Sequence, residues 1–248
     1  MRLATPALAI YLMASDDLPD QAAAAVDAGA TAIEVGIPFS DPLADGPTIQ
    51  RAGYAALQAG MTPRRCLDVL RETRERLGPD LPLVLMTYAA IVERYGVERF
   101  CSDSGAAGAT GLIVSDVPPE EATELEAAAR ANGIDVVHLV SLTSRDDRIG
   151  RACAASRGFV YVVSAIGTTG ARDALDSERL AGLLGRVRAR AGELPLLCGF
   201  GVSRPEQVRA LRDAGADGVI VGSAAIDALE RGGSAELGRF VAGLAAAL

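Results

Sequence analysis

Two carboxylates in one short stretch, Glu34 and Asp45, are the residues of this chain best placed to do chemistry. Glu34 lies within the apolar run TAIEVG, which has the β-branched character of a strand buried on both faces. An ionisable side chain is costly there unless it faces a cavity or a partner. The prolines and glycines from Pro38 to Gly46 form turns that can bring Asp45 back towards the strand end. Two carboxylates that meet at the end of one strand indicate acid/base catalysis.

The elements that position these carboxylates alternate between short β-rich runs and helical segments. The helical segments are rich in Ala, Leu, Glu and Arg, and several end at Gly, which suits a helix C-terminus. Thr62 before Pro63 predicts a helix N-cap, and Ser203-Arg-Pro-Glu206 predicts a capping box. The β-rich runs predict eight strands: Ala7–Met13, Thr31–Gly36, Pro82–Tyr88, Thr110–Asp116, Asp135–Ser141, Phe159–Ser164, Pro195–Phe200 and Gly218–Ser223.

Eight strand–helix units within 248 residues predict an α/β fold of the (β/α)8 TIM barrel type. No Ser/Gly-rich linker interrupts the pattern, so we expect residues 1–248 to form a single barrel domain. A doubly wound open sheet is the alternative. It is disfavoured because no G-x-G-x-x-G follows the first strand.

A barrel of this type places its functional groups at the carboxyl ends of the strands, and the loops after strands seven and eight often hold a phosphate. Strand seven ends in Gly199-Phe200-Gly201 and strand eight in Gly222-Ser223, each just before a helix. Glycine lets backbone N–H groups approach an anion, and a helix N-terminus adds its dipole. We therefore expect a phosphate site here, the alternative being that these glycines only permit tight turns.

Charge and composition exclude several classes of function. A net charge of −8, from 24 basic and 32 acidic residues, leaves no basic stripe for nucleic acid and repels anionic membranes. The first apolar run is too short to span a bilayer, which favours a cytoplasmic protein. Four scattered cysteines without CxxC spacing favour reduced core thiols over a metal site or disulfides. His138, the only histidine, is expected to face the helices in a structural role.

Several motifs together resemble the tryptophan synthase alpha subunit family over nearly the whole chain. They are the strand carrying Glu34 with the following PFSDPLADGPTIQ, and the segments YVVSAIGTTGARD, GFGVSRPEQV and GADGVIVGSA. The resemblance implies a lyase of tryptophan biosynthesis that cleaves indole-3-glycerol phosphate into indole and glyceraldehyde 3-phosphate, with no metal or cofactor of its own. It also implies a pyridoxal-phosphate-dependent beta subunit that receives the indole within an α2β2 complex.

The resemblance also assigns roles to individual residues. It makes Glu34 the group that moves protons and Asp45 the carboxylate that stabilises positive charge on the indole ring. The apolar strand around Glu34 predicts a raised pKa for its carboxyl, whereas Asp45, in a polar loop, is expected to stay ionised. The family's phosphate cradle falls on Gly170, Phe200, Gly201, Gly222 and Ser223. Its indole pocket and lid fall on Tyr11, Ile49, Met86, Ile113, Leu139, Tyr161 and Thr169.

One departure from the family pattern leaves the partner open. Ala90 stands where the family often has an Asn that faces the beta subunit. A free-standing indole-releasing lyase is therefore one alternative. A catalytically weak allosteric partner of the beta subunit is another, although a pure binding module has no reason to keep a costly buried acid at Glu34.

Overall fold

A curled sheet of parallel strands surrounds the interior of the protein in a computed structural model, which describes residues 1–164, 177–199 and 201–248. The strand order is β5-β4-β3-β2-β1-β9-β8-β7-β6, and every pair is parallel. The strands are β1 (Ala7–Met13), β2 (Ala32–Gly36), β3 (Leu83–Thr87), β4 (Gly111–Val114), β5 (Asp135–Val136), β6 (Leu139–Ser141), β7 (Val160–Val163), β8 (Leu196–Gly199) and β9 (Gly218–Val221).

The predicted fifth strand is broken in two, and the break closes the barrel. Its first part, β5, pairs with β4, and its second part, β6, pairs with β7. Between them the Val137 N–H donates to the Leu112 carbonyl at 2.9 Å, and the His138 carbonyl accepts from the Tyr161 N–H at 3.2 Å. Both edges of the sheet are therefore joined by one stretch of chain, and the predicted (β/α)8 barrel is confirmed, with each strand near its expected position.

Helices follow the strands and pack against one another in neighbouring groups, α1 with α3 and α10, α5 with α6, and α7 with α8. Their bounds are α1 (Leu18–Asp27), α2 (Pro47–Gln58), α3 (Pro63–Leu77), α4 (Ala89–Tyr95), α5 (Val97–Ala106), α6 (Thr123–Ala131), α7 (Asp146–Ala155), α8 (Ser177–Ala191), α9 (Pro205–Asp213) and α10 (Ser223–Ala245), the last bent at Gly232 and Gly233. No helix within the described residues is long and apolar enough to cross a membrane.

The helix start signals in the sequence are confirmed at one helix and shifted at another. The Thr62 hydroxyl accepts from the Arg65 N–H at 3.2 Å, as predicted for the N-cap of α3. The expected capping role of Glu206 is wrong. Gln207 takes it, because α9 begins at Pro205 and its third residue, not its second, reaches back to the N-cap.

Alternation along the strands separates the barrel interior from the surface that faces the helices. The interior cluster is Ala7, Ala9, Ala32, Val84, Ile113, Val137, Phe159, Tyr161, Leu197 and Ile220. His138 points the other way, as predicted, with its Nε2 2.9 Å from Glu126 Oε1 on α6. All four cysteines are free and buried, which confirms the prediction of core thiols.

Candidate active site

A cavity opens at the carboxyl ends of the barrel strands and brings the two predicted carboxylates together. Its empty volume is about 710 Å³, counted with the open mouth. Residues from β1, β2, β3, β7, β9, the starts of α2 and α10 and the loops before α2 and α9 form its wall, so the cavity occupies the end of the barrel where such enzymes hold their substrates. The wall is Tyr11, Glu34, Asp45, Ile49, Met86, Tyr161, Gly201, Val202, Ser203, Ile220, Gly222, Ser223, Ala224 and Asp227.

Glu34 lies near the middle of β2, paired in register with Tyr11 on β1 and Val84 on β3. Its side chain is 2% exposed, and its Oε2 has no hydrogen-bond partner among the described residues. Burial without a partner for this oxygen is costly for a carboxyl group. Burial first, and the nearby Asp45 charge second, raise the pKa of Glu34 from 4.5 to about 8. The predicted raised pKa is therefore present in the structure.

Asp45 enters the cavity from the loop between β2 and α2. Its side chain does not cap α2, because the N-cap position of that helix is Gly46. Burial raises the pKa of Asp45 above its ordinary value, and a hydrogen bond with the Tyr88 hydroxyl opposes the rise. The loop is thus less polar around this carboxylate than the sequence suggests, because it folds inward against the end of β3.

Two inward-facing glycines leave room for the tyrosines that flank the carboxylates. A Cβ at Gly36 would lie 1.9 Å from the Tyr11 hydroxyl oxygen, and a Cβ at Gly199 would lie 2.1 Å from that of Tyr161. Both tyrosine rings therefore lie over bare backbone on the adjacent strand. Burial, together with the Glu34 and Asp45 charges, raises the pKa of each phenol well above its ordinary value, so both are neutral at physiological pH.

Another part of the cavity wall is built from backbone. Gly201 has a φ of 90°, a conformation that other residues rarely adopt, in the loop between β8 and α9. Gln207 Oε1 accepts from the Ser203 N–H at 2.8 Å, which ties this loop to the first turn of α9. α10 begins at Ser223, and the Gly222 carbonyl accepts from the Ala225 and Ile226 N–H groups, which leaves the N–H groups of Ser223 and Ala224 without an intrahelical acceptor. Such a helix start suits an anion such as a phosphate group.

Most of the predicted site residues meet at this cavity. Tyr11, Glu34, Asp45, Ile49, Met86, Tyr161, Gly201, Gly222 and Ser223 all line it. Ile113 and Leu139 face inward as expected, but they lie in or against the barrel-interior cluster and not among the wall residues. Thr169, Gly170 and Phe200 fall outside the described residues.

Five wall residues were not predicted from the sequence: Val202, Ser203, Ile220, Ala224 and Asp227. Strand alternation could have placed Ile220 inside, since it lies two residues before Gly222. Helical spacing could have placed Asp227, which lies one turn after Ser223 on α10. Its Oδ1 accepts from the Thr48 hydroxyl at 3.3 Å and lies 3.8 Å from Arg51 Nη2, which links α10 to α2 beside the cavity.

Comparison with known proteins gives one consistent result. The family model described as "Tryptophan synthase alpha chain" matches residues 3–242. The tryptophan synthase alpha chain of Methanothermobacter thermautotrophicus is 48% identical over 82% of this chain and 74% of its own length. That of Geobacter sulfurreducens is 43% identical over 98% of this chain and 91% of its own length.

Solved structures agree with the sequence comparisons. A structure of Mycobacterium tuberculosis tryptophan synthase aligns with a TM-score of 0.88 at 40% identity, over 97% of this chain and 91% of that one. A chain from the tryptophan synthase α2β2 complex of Pyrococcus furiosus aligns with a TM-score of 0.87 at 37% identity, over 98% of both chains.

Proposed function

Because the chain belongs to the tryptophan synthase alpha chain family, we propose that the cavity described above cleaves indole-3-glycerol phosphate into indole and glyceraldehyde 3-phosphate. The chain is thus a carbon–carbon lyase of tryptophan biosynthesis. The observation that carries the proposal is Glu34, a buried carboxyl on the cavity wall whose Oε2 has no partner among the described residues. Keeping such a group is costly, and proton transfer to a bound substrate explains it.

Glu34 moves the two protons of the reaction. With a pKa of about 8, its carboxyl is mostly protonated at neutral pH and can deliver a proton to C3 of the indole ring. The resulting carboxylate then takes the proton from the hydroxyl on the adjacent side-chain carbon. The O–H electrons form the aldehyde C=O, the bond to C3 breaks, and its electron pair restores the aromatic indole. Glu34 finishes protonated, ready for the next cycle.

Asp45 stabilises the intermediate between these two transfers. Protonation at C3 puts a positive charge on the ring, and that charge is shared by the ring nitrogen. A carboxylate held beside the ring N–H lowers the energy of this cation, and it does so without reorganisation because the loop already places it on the wall. Tyr11, Ile49, Met86 and Tyr161 supply apolar surface for the ring.

The phosphate group is held at the backbone end of the cavity. Gly201, Gly222 and Ser223 lie there next to the first turn of α10, whose dipole favours an anion. This arrangement explains how a chain with a net charge of −8 binds an anionic substrate. Thr169, Gly170 and Phe200 complete the lid and the cradle in this proposal, by their place in the family motif.

The partner of this chain is a tryptophan synthase beta subunit, in an α2β2 complex that takes up the released indole. The support is the family and the alignment with a chain of such a complex over 98% of its length. Pyridoxal phosphate belongs to the beta subunit in this proposal, and none of the steps above needs a cofactor in the alpha chain. A free-standing lyase is distinguished by turnover that does not rise when a beta subunit is added.

The decisive experiment is an indole-release assay on the purified chain, with and without a beta subunit. Glu34→Gln should lower turnover at least about a hundredfold, the scale of general acid–base catalysis. Binding of glyceraldehyde 3-phosphate should remain, because the phosphate end of the cavity is unchanged. Glu72→Gln on α3 makes the same chemical change at a side chain that is 51% exposed, and it should retain full turnover. Substantial turnover by Glu34→Gln would remove Glu34 from its role.

A further inference from the structure

Tyr88 holds the loop that carries Asp45, although no step of the mechanism above uses it and its side chain does not line the cavity. It lies between β3 and α4, directly after the last residue of the strand, and is 5% exposed. A buried phenol keeps its hydroxyl bonded to polar groups, so the partners of that hydroxyl report its role.

Most of those partners belong to the loop between β2 and α2, and the other is the hydroxyl of Ser115, directly after β4. The Phe39 ring packs on the Tyr88 ring, with centroids 5.2 Å apart and planes tilted by 31°. The Tyr88 oxygen accepts from the Ala44 N–H at 3.3 Å, which leaves the phenol proton to be donated elsewhere. Asp45, the next residue, is the acceptor. One side chain thus contacts the loop at its start and on both sides of the Ala44–Asp45 peptide.

The backbone on each side of Tyr88 is fixed to the end of β4. The Thr87 carbonyl accepts from the Ser115 N–H at 3.1 Å, and the Ala89 N–H donates to Asp116 Oδ1 at 2.8 Å. Tyr88 therefore stands on the rigid part of the barrel and not on a loop of its own. A side chain that is fixed by the barrel strands can hold a loop residue such as Asp45 in a defined position.

We propose that Tyr88 is a positioning residue for Asp45: its hydroxyl orients the Asp45 carboxylate towards the ring nitrogen and stabilises the charged form. This inference rests on the proposed function, since it assigns Asp45 to the indole cation. Tyr88 itself does not touch the substrate. Its contribution is realised through Asp45 and is therefore expected in the rate of cleavage and in its pH dependence.

The surroundings of Asp45 decide the sign of the pH effect. Glu34 on β2, Tyr11 on β1 and Tyr161 on β7 interact electrostatically with Asp45, and none of them carries positive charge. Burial raises the pKa of Asp45, and the Tyr88 hydroxyl lowers it. Removing that hydroxyl raises the pKa further. The acid limb of the rate profile, where protonation of Asp45 removes its charge, should then move to higher pH.

The test is Tyr88→Phe, which keeps the ring and its contact with Phe39 but removes the hydroxyl. With indole-3-glycerol phosphate as substrate, kcat should fall roughly ten- to a hundredfold, the range expected from a lost hydrogen bond to a charged group. The acid limb should shift upward, while binding of glyceraldehyde 3-phosphate and the urea midpoint stay near those of the unmodified chain. Tyr54→Phe, on a tyrosine that is 65% exposed, is the matched control and should change none of these.

A second variant separates orientation from simple packing. Phe39→Leu weakens the ring contact but keeps the Tyr88 hydroxyl, so it should lower kcat less than Tyr88→Phe and leave the acid limb in place. An unmodified chain without cleavage activity would overturn the proposed function. An active unmodified chain whose kcat and acid limb are matched by Tyr88→Phe would instead overturn the role of Tyr88 alone. Equal acid-limb shifts in both variants would also overturn it, since packing would then explain the effect.

Discussion

Replacing Glu34 with Gln should stabilise the folded chain at neutral pH, and the gain should grow as the pH rises. The folded chain holds the Glu34 proton up to a pKa of about 8, whereas an unfolded chain releases it near the ordinary value of 4.5. Between these values the folded state binds more protons than the unfolded state, so the free energy of unfolding falls with increasing pH. The contribution of Glu34 is fully present below pH 4.5 and is lost as the pH rises through 8. Gln cannot titrate and does not suffer this loss.

The size of this stability difference follows from the gap between the folded-state and unfolded-state pKa values of Glu34. Between the two pKa values each pH unit changes the contribution of one proton by about 1.4 kcal/mol, so the loss is on the order of 3 kcal/mol at pH 7 and 4 kcal/mol at pH 8. Because Glu34 is 2% exposed, no screening by solvent reduces these values. They are large beside the 5–15 kcal/mol, roughly, that separates folded from unfolded domains.

Urea unfolding of the two chains at pH 4.5, 6, 7 and 8 measures this difference. All other titrating groups are present in both chains, so comparing Glu34→Gln with the unmodified chain isolates Glu34 together with its coupling to Asp45. The difference should be near zero at pH 4.5 and increase at each step. A difference that stays flat from pH 4.5 to pH 8 would refute the reasoning, because Glu34 would then have an ordinary pKa and could not serve as the acid at neutral pH.

Two further substitutions test the shape of the cavity. Gly36→Ala should push the Tyr11 ring into the space for the indole and weaken indole binding by about 1–3 kcal/mol, the cost of overpacking, and calorimetry should find the loss relieved by adding Tyr11→Leu. Gly201→Val, at a φ of 90°, should strain the cradle by about 1–3 kcal/mol and weaken binding of inorganic phosphate. Gly133→Val makes the same change at a φ of 72° away from the cavity and should leave phosphate binding unchanged, whereas equal phosphate affinity in both variants would show that the cradle lies elsewhere.

Local pattern was enough to predict the strands and the two carboxylates. Seven of the eight β-rich runs became one strand each, because their alternation and their flanking glycines and prolines act over a few residues. Glu34 was found because a single acid in an apolar strand is costly wherever the strand packs. The break at Val137 and His138 was not found, because it depends on how the two sheet edges meet and not on the residues themselves.

Contacts between distant strands account for what the sequence did not predict. The contact of Tyr11 with Gly36 depends on the register of β1 against β2, which no local pattern specifies. Burial of the loop raises the pKa of Asp45, and that rise is opposed by Tyr88, which lies 43 positions further along the chain. Asp227 lines the cavity only because α10 begins at Ser223, a boundary that a sequence pattern places less reliably than the helix itself.

The overlap between Tyr11 and Gly36 fixes the order in which these two positions can mutate. Any side chain at position 36 collides with the phenol on the neighbouring strand, so that site is closed to change while the phenol is present. Once position 11 carries a smaller residue, position 36 becomes free to vary, and a bulkier ring can then be accommodated. An evolutionary or laboratory route to new aromatic substrates therefore has to begin at position 11, and libraries that randomise position 36 alone will be depleted of functional members.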